Sequence, residues 1–170
     1  QVMPISDKPV EQKKDIVADY DASRQTIMII DDDPSMLWFV TEIFAGKYNV
    51  QPFNSAQEAL EQLKLKQPDL ILSDVMMPDM DGRAFAKIVK EDKLLSHIPL
   101  VLLSALNYID EQVKGIESGA EAYVTKPFNV EYLEKIVERQ IRRKEDMKEY
   151  YSSIYSAFKL EDGHLLHKED

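Results

Sequence analysis

Three short runs of unbroken apolar residues constrain the fold of this chain more than any other feature: Thr26–Ile30 (TIMII), Leu70–Ser73 (LILS) and Ile98–Leu103 (IPLVLL). Runs this short, without polar alternation, suit strands buried on both faces, and such strands belong to parallel sheets covered by helices. A fourth, weaker run is Ala122–Thr125 (AYVT). Tyr48–Phe53 (YNVQPF) alternates as an edge strand does, and at an edge Pro52 is tolerable.

Helical patterns fill the intervals. Pro34 suits a first turn, and Met36, Leu37, Val40, Ile43 and Phe44 then form one apolar face that Gly46 ends. Ser55 and Glu58 have the spacing of a capping box, with Ala59, Leu60 and Leu63 behind them. Further helices are expected over about Arg83–Asp92, over Ile109–Ser118 with Gly119 closing it, and from Val130 onward with Asn129 as its cap. Alternating strands and helices predict a doubly wound α/β domain, a (βα)5 parallel sheet. Its expected strand order is the flavodoxin-like 2-1-3-4-5.

Composition narrows the function. The 170 residues suffice for one domain with material left over, and 44% hydrophobic against 31% charged residues permits a packed core. A net charge of -10 argues against direct nucleic-acid binding by this segment, because phosphate contacts need clustered Lys and Arg. Without cysteine there is no disulfide and no thiolate chemistry, as befits a cytoplasmic setting. No apolar run reaches membrane-spanning length, so no membrane contact is expected. Residues 1–24 are polar and interrupted by Pro4 and Pro9, which predicts a flexible tail or linker. The Gln1 start suggests a piece of something longer.

In doubly wound sheets the ligand site lies beyond the carboxyl ends of the strands. Here the first strand ends in Asp31-Asp32-Asp33, the third in Ser73-Asp74, the fourth in Ser104 and the fifth in Thr125-Lys126. Carboxylates brought together repel one another unless a cation neutralises them, and oxygen donors with room for water and phosphate suit Mg²⁺, or Mn²⁺ in its place. A carboxylate at such a site can accept a phosphoryl group without an activating base, which makes Asp74 the candidate nucleophile. Ser104 and Lys126 would hold the phosphoryl oxygens. Each signal is weak alone; together at four strand ends they are specific.

The stretches IMIIDDDPSM (27–36), LILSDVMMPDMDG (70–82), PLVLLSAL (99–106) and SGAEAYVTKPF (118–128) resemble the receiver domain of bacterial two-component response regulators. The resemblance covers residues 25–145. It implies that Asp74 is the phosphoacceptor and that a histidine kinase or phosphotransfer domain is the donor. It further implies metal binding by Asp31, Asp32, Asp74 and the Met76 backbone carbonyl, phosphoryl contacts from Ser104 and Lys126, and a cis Lys126–Pro127 peptide. Asp33 falls outside the family's acidic pair and reads as a helix cap. Phosphorylation would draw Ser104 inward and admit the Tyr123 ring, changing the face made by the fourth helix, fifth strand and fifth helix. Met76 and Leu106 resemble the positions that tune phosphate lifetime. Both are apolar, which implies a long-lived acyl phosphate, and simple packing explains them equally well.

Past Gln140, the series Leu133, Val137, Gln140, Lys144, Met147, Tyr151, Ile154, Phe158 keeps the 4-3 spacing of a coiled-coil seam, interrupted by Gln140 and Lys144. An extended last helix is expected, with 146–170 as a connector to a missing output domain, and pairing between chains is one use for it. The tail resembles the connector of hybrid sensor kinases, whose parent chain could be membrane-anchored; a standalone regulator is the competitor. The segment itself would catalyse only its own phosphorylation and dephosphorylation. His164 and His167 read as a solvated tail rather than a metal pair. A pseudo-receiver that takes no phosphate typically lacks one of the acids or the lysine, and none is missing here. A phosphohydrolase would need a second acid two residues past Asp74, where Met76 stands.

Overall fold

The computed structural model of the chain describes residues 20–105, 113 and 117–166, the last six by backbone alone. Five strands, β1 (Thr26–Ile30), β2 (Asn49–Phe53), β3 (Leu70–Asp74), β4 (Leu100–Ser104) and β5 (Ala122–Thr125), form one parallel sheet in the order β2-β1-β3-β4-β5. This is the doubly wound order expected from the sequence. The alternating Tyr48–Phe53 segment supplies the edge strand β2, with Pro52 opposite Ile29 of β1.

The unbroken apolar runs have a simple cause. Ile27 and Ile29 of β1 enter one core layer with Leu70, Leu72, Val101 and Leu103, while Met28 and Ile30 enter the other with Ile71, Leu100 and Leu102. A strand covered on both sides has no position to leave polar. The first layer is closed by Val40 and Phe44 of helix α1 (Pro34–Ala45) and by Leu133, Val137 and Ile141 of helix α4 (Val130–Leu166). The second is closed by Ala56, Ala59 and Leu63 of α2 (Ala56–Leu65) and by Phe85, Ala86 and Val89 of α3 (Gly82–Glu91). Each large apolar side chain so buried stabilises the fold by about 1.5–3 kcal/mol relative to exposure.

Local signals set the helix starts. Asp33 caps α1 by accepting the Ser35 N–H (2.9 Å), with Pro34 in the first turn. Ser55 Oγ accepts the Glu58 N–H at the start of α2, and Asn129 Oδ1 accepts the Tyr132 N–H at the start of α4. The helix expected over Ile109–Ser118 falls largely outside the described residues. Gly119, which was expected to close it, has φ 88°, the left-handed region that glycine enters without strain.

Two findings refine the sequence reading. Residues 21–24, read there as tail, are held against the sheet edge: Asp21 N–H donates to Asn49 Oδ1, and Asn49 Nδ2 donates to the carbonyls of Asp21 and Arg24. Gln140 and Lys144, which interrupt the apolar seam, face the domain. Gln140 is buried, and Lys144 Nζ lies 3.7 Å from Asp69 just before β3. The seam is polar at those two positions because there it meets the sheet's amino edge rather than another helix. No helix of the described residues is long and apolar enough to cross a membrane.

Candidate functional site

A parallel sheet places every strand's carboxyl end on one edge. Adjacent registers carry Ile30 beside Ser73, Asp74 beside Leu103 and Ser104 beside Thr125, so Asp31, Asp74, Ser104 and Lys126 follow one another along that edge. Backbone hydrogen bonds extend the pairing into the loops: Asp31 N–H to the Phe53 carbonyl, Val75 N–H to that of Leu103, and Lys126 N–H to that of Ser104 (2.6 Å). The acidic and basic residues are thus mounted at or just beyond hydrogen-bonded strand ends.

One carboxylate oxygen from each of Asp31, Asp32 and Asp74 lies within 4.8 Å of the others. Asp31 and Asp74 are buried and Asp32 is exposed, so the cluster opens to solvent on one side. Lys126 Nζ donates to Asp74 Oδ1 (3.0 Å) and Asp31 Oδ2 (3.3 Å), and one ammonium therefore bridges two acids. Burial pushes the Asp31 carboxyl above its ordinary value, and the charge of Asp74 adds to this. The Asp33 N–H and Lys126 pull the other way. Three carboxylates against one ammonium leave an excess of negative charge among oxygen donors, which is the donor set a hard divalent cation takes.

The loop after Asp74 is pinned at its far end. Gly82 N–H donates to the Val75 carbonyl (2.8 Å), and a Cβ at Gly82 would stand 2.1 Å from the Asp74 carbonyl oxygen. Only glycine lets α3 begin directly beneath Asp74. Asp81 caps α3 through the Arg83 N–H (2.7 Å) and holds the Arg83 guanidinium by two further bonds. Asp79 Oδ2 accepts the Gln57 N–H and so ties the same loop to the first turn of α2. Sequence reasoning singled out Asp74 and Met76 on this stretch and missed Gly82. Its only signal was the Asp-Gly pair at the mouth of a helix.

The other expected residues are placed as follows. Met76 lies in the pinned loop with its side chain 57% exposed. Ser104 is fully buried at the end of β4. Tyr123 is half-buried and packs against the core layer that contains Met28 and Leu102, rather than lying bare on its strand. The Lys126–Pro127 peptide is cis. Leu106 and His167 lie outside the described residues, as does the side chain of His164, and His97 precedes β4 at the opposite edge of the sheet.

Comparison with known proteins agrees with this fold. The model of the response regulator receiver domain matches residues 27–138. Histidine kinase P4 of Formosa agariphila is 32% identical over 148 residues, which cover 85% of this chain and 10% of that protein. The DNA-binding response regulator MtrA of Mycolicibacterium smegmatis is 35% identical over 127 residues, 74% of this chain and 54% of that protein. Among solved structures, the signal receiver domain of a signal transduction histidine kinase from Syntrophus aciditrophicus superimposes with a TM-score of 0.66 at 34% identity. That match covers 69% of this chain and 90% of the other. The chain thus spans about half of the one curated relative and a tenth of the other.

Proposed function

The chain belongs to the receiver-domain family of two-component response regulators, and on that premise we propose that it is a phosphorylation switch whose acceptor is Asp74. The carrying observation is the pairing of Lys126 with both Asp74 and Asp31 beside the open carboxylate of Asp32. In the proposed reaction an Asp74 carboxylate oxygen attacks the phosphorus of a donor phosphohistidine or small acyl phosphate. A new P–O bond forms, the donor's bond to phosphorus breaks, and the donor leaves with that electron pair. Lys126 moves from carboxylate to phosphoryl oxygen, and the Ser104 hydroxyl donates to a second. Asp31, Asp32, Asp74 and the Met76 carbonyl would hold Mg²⁺ or Mn²⁺, which when bound offsets charge on the transferred group.

Burial of Ser104 and the packing of the half-buried Tyr123 ring on the core support assigning them the switch, since packed side chains respond to a new anion by rearrangement. The response would appear on the face of the Ile109–Ser118 segment, β5 and α4. The exposed apolar side chain of Met76 offers no group to orient an attacking water, which favours a slowly hydrolysed acyl phosphate; decay of labelled protein within seconds at neutral pH would count against this.

We further infer a receiver unit over 25–145, preceded by a linker over 1–24 whose last four residues lie against the sheet edge, and followed by a connector over 146–170 that leads to an output domain. The match to the Formosa kinase runs over 148 residues against 127 for the MtrA regulator, which supports a hybrid-kinase parent over a standalone regulator. Fluorine NMR of the chain with beryllofluoride and Mg²⁺ tests the site directly. One bound fluoride species is expected, absent without Mg²⁺ and absent in Asp74→Ala; a spectrum unchanged by that substitution would refute the assignment.

A further inference from the structure

The chain enters the domain across the amino edge of the sheet, and the apolar side chains around its point of entry are bare. Tyr20, the first described residue, has its ring 4.0 Å from the Lys66 ammonium. Asp21 and Arg24 behind it are tied to Asn49 at the start of β2. Lys66 follows the last residue of α2, Leu65, whose side chain is 82% exposed, more than any other large apolar side chain among the described residues. Gln67 Nε2 donates to the Leu94 carbonyl (3.1 Å) and brings the turn after α3 alongside. In that turn Leu95 packs against the core layer, while its neighbour Leu94 is 74% exposed. One exposed leucine is ordinary; Leu65, Leu94 and the exposed Tyr20 gathered at one spot make a patch.

Charge marks the same spot. Leu65 stands between Lys64 and Lys66, and Leu94 follows Lys93. Of the nearby acids, Glu91 faces Lys87, and the Asp92 carboxylate accepts the Leu94 N–H. Glu61 lies one turn back along α2 from Leu65. The sequence just before Tyr20 carries the reciprocal pattern: Ile16, Val17 and Ala18 stand between Asp15 and Asp19, with Lys13 and Lys14 beyond.

We propose that residues 13–19, which lie outside the described residues, dock on this patch of their own chain. Ile16 and Val17 cover Leu65 and Leu94, Asp15 and Asp19 meet Lys64, Lys66 and Lys93, and the Lys13-Lys14 pair turns towards Glu61.

Reach and tethering select this occupant. An extended chain covers at most about 3.6 Å per residue, so Val17 and Ile16 lie within roughly 11 and 14 Å of Tyr20, which already touches Lys66. A contact of a few apolar side chains falls far short of the roughly 800 Å² per partner that holds separate molecules together, and surface ion pairs add little. A segment tethered at Tyr20 instead meets the patch at an effective concentration in about the millimolar range. The clamp fixes the entry of the chain at the edge opposite Asp74, beside the place where α4 leaves the sheet, since Gln25 Nε2 donates to Glu145 Oε1 (2.6 Å). It requires no phosphorylation.

Methyl NMR of the full chain tests the clamp. NOEs are expected from Ile16 and Val17 to Leu65 and Leu94, and they should survive dilution from about 500 to 50 μM because the contact is within one chain. A mixture of differently labelled chains should show none between molecules. Ile16→Ser with Val17→Ser should remove the NOEs and shift the Leu65 and Leu94 methyls, leaving those of the buried Leu100 and Val124 in place. Lys64→Asp with Lys93→Asp should roughly halve the NOEs, and adding Asp15→Lys with Asp19→Lys should restore them. Absent NOEs, NOEs only between chains, which would give the patch to a second copy, or a charge reversal without effect would each overturn the proposal.

Discussion

The two edges of the sheet both carry clustered charge, and they treat it differently. At the amino edge each charge has fixed partners. Lys90 Nζ donates to Glu121 and to the carbonyls of Ser96 and Ile98, while Glu121 Oε2 accepts the Leu100 N–H. Asp69 accepts the Thr26 N–H and meets Lys144, and Gln25 Nε2 donates to Glu145 beside it. At the carboxyl edge Asp31 and Asp74 share one lysine, with Asp32 open beside them. Balanced, multiply bonded charges hold elements together. An unbalanced cluster stores repulsion that an added cation relieves. The first edge is structural, the second is where chemistry can happen, and the contrast can be tested by breaking each edge in turn.

The largest loss is expected from steric rather than electrostatic change at the carboxyl edge. Gly82→Ala drives a methyl into the Asp74 carbonyl and should lower unfolding free energy by about 3 kcal/mol, read by urea denaturation. At the amino edge, Lys90→Met should cost about 1–2 kcal/mol, because the Ser96 and Ile98 carbonyls and the exposed Glu121 carboxylate lose the ammonium they share. The folded variant should keep its capacity for phosphorylation.

Charge removal at the carboxyl edge should have the opposite sign. Asp74→Asn leaves Lys126 to pair one-to-one with Asp31, so without divalent cation it should stabilise the chain by about 1 kcal/mol while abolishing phosphorylation. Destabilisation of similar size instead would erase the distinction between the edges. The smallest effect belongs to the half-exposed pair beneath the loop. Burial pushes the Asp81 carboxyl up, but the Arg83 side chain and N–H together outweigh it and hold it below its ordinary value. A group lowered on folding stabilises above its unfolded value and loses that contribution as pH falls through its folded one. Arg83→Ala should therefore cost under about 1 kcal/mol near neutrality, with the difference fading in acid.

The sheet order, the strand ends and the acidic cluster were legible because each is written in local pattern: apolar runs that stop on Asp31, Asp74, Ser104 and Lys126. Parallel topology alone then carries those ends together. What escaped were near approaches between distant parts of the chain. Gly82 matters because it lies under Asp74, Lys90 because the segments before β4 and β5 converge on its ammonium, and Gln140 and Lys144 because their face of α4 meets the amino edge. Periodicity assigns a residue to a face. It carries no distance, and these roles are all distances.

The central claim is that Asp74 accepts a phosphoryl group at the unbalanced edge. Intact-mass spectrometry after exposure to acetyl phosphate and Mg²⁺ tests it most directly. The account predicts one phosphoryl adduct per chain, lost with a chelator and lost in Asp74→Ala. No adduct on the unmodified chain, or an undiminished one in Asp74→Ala, would contradict it.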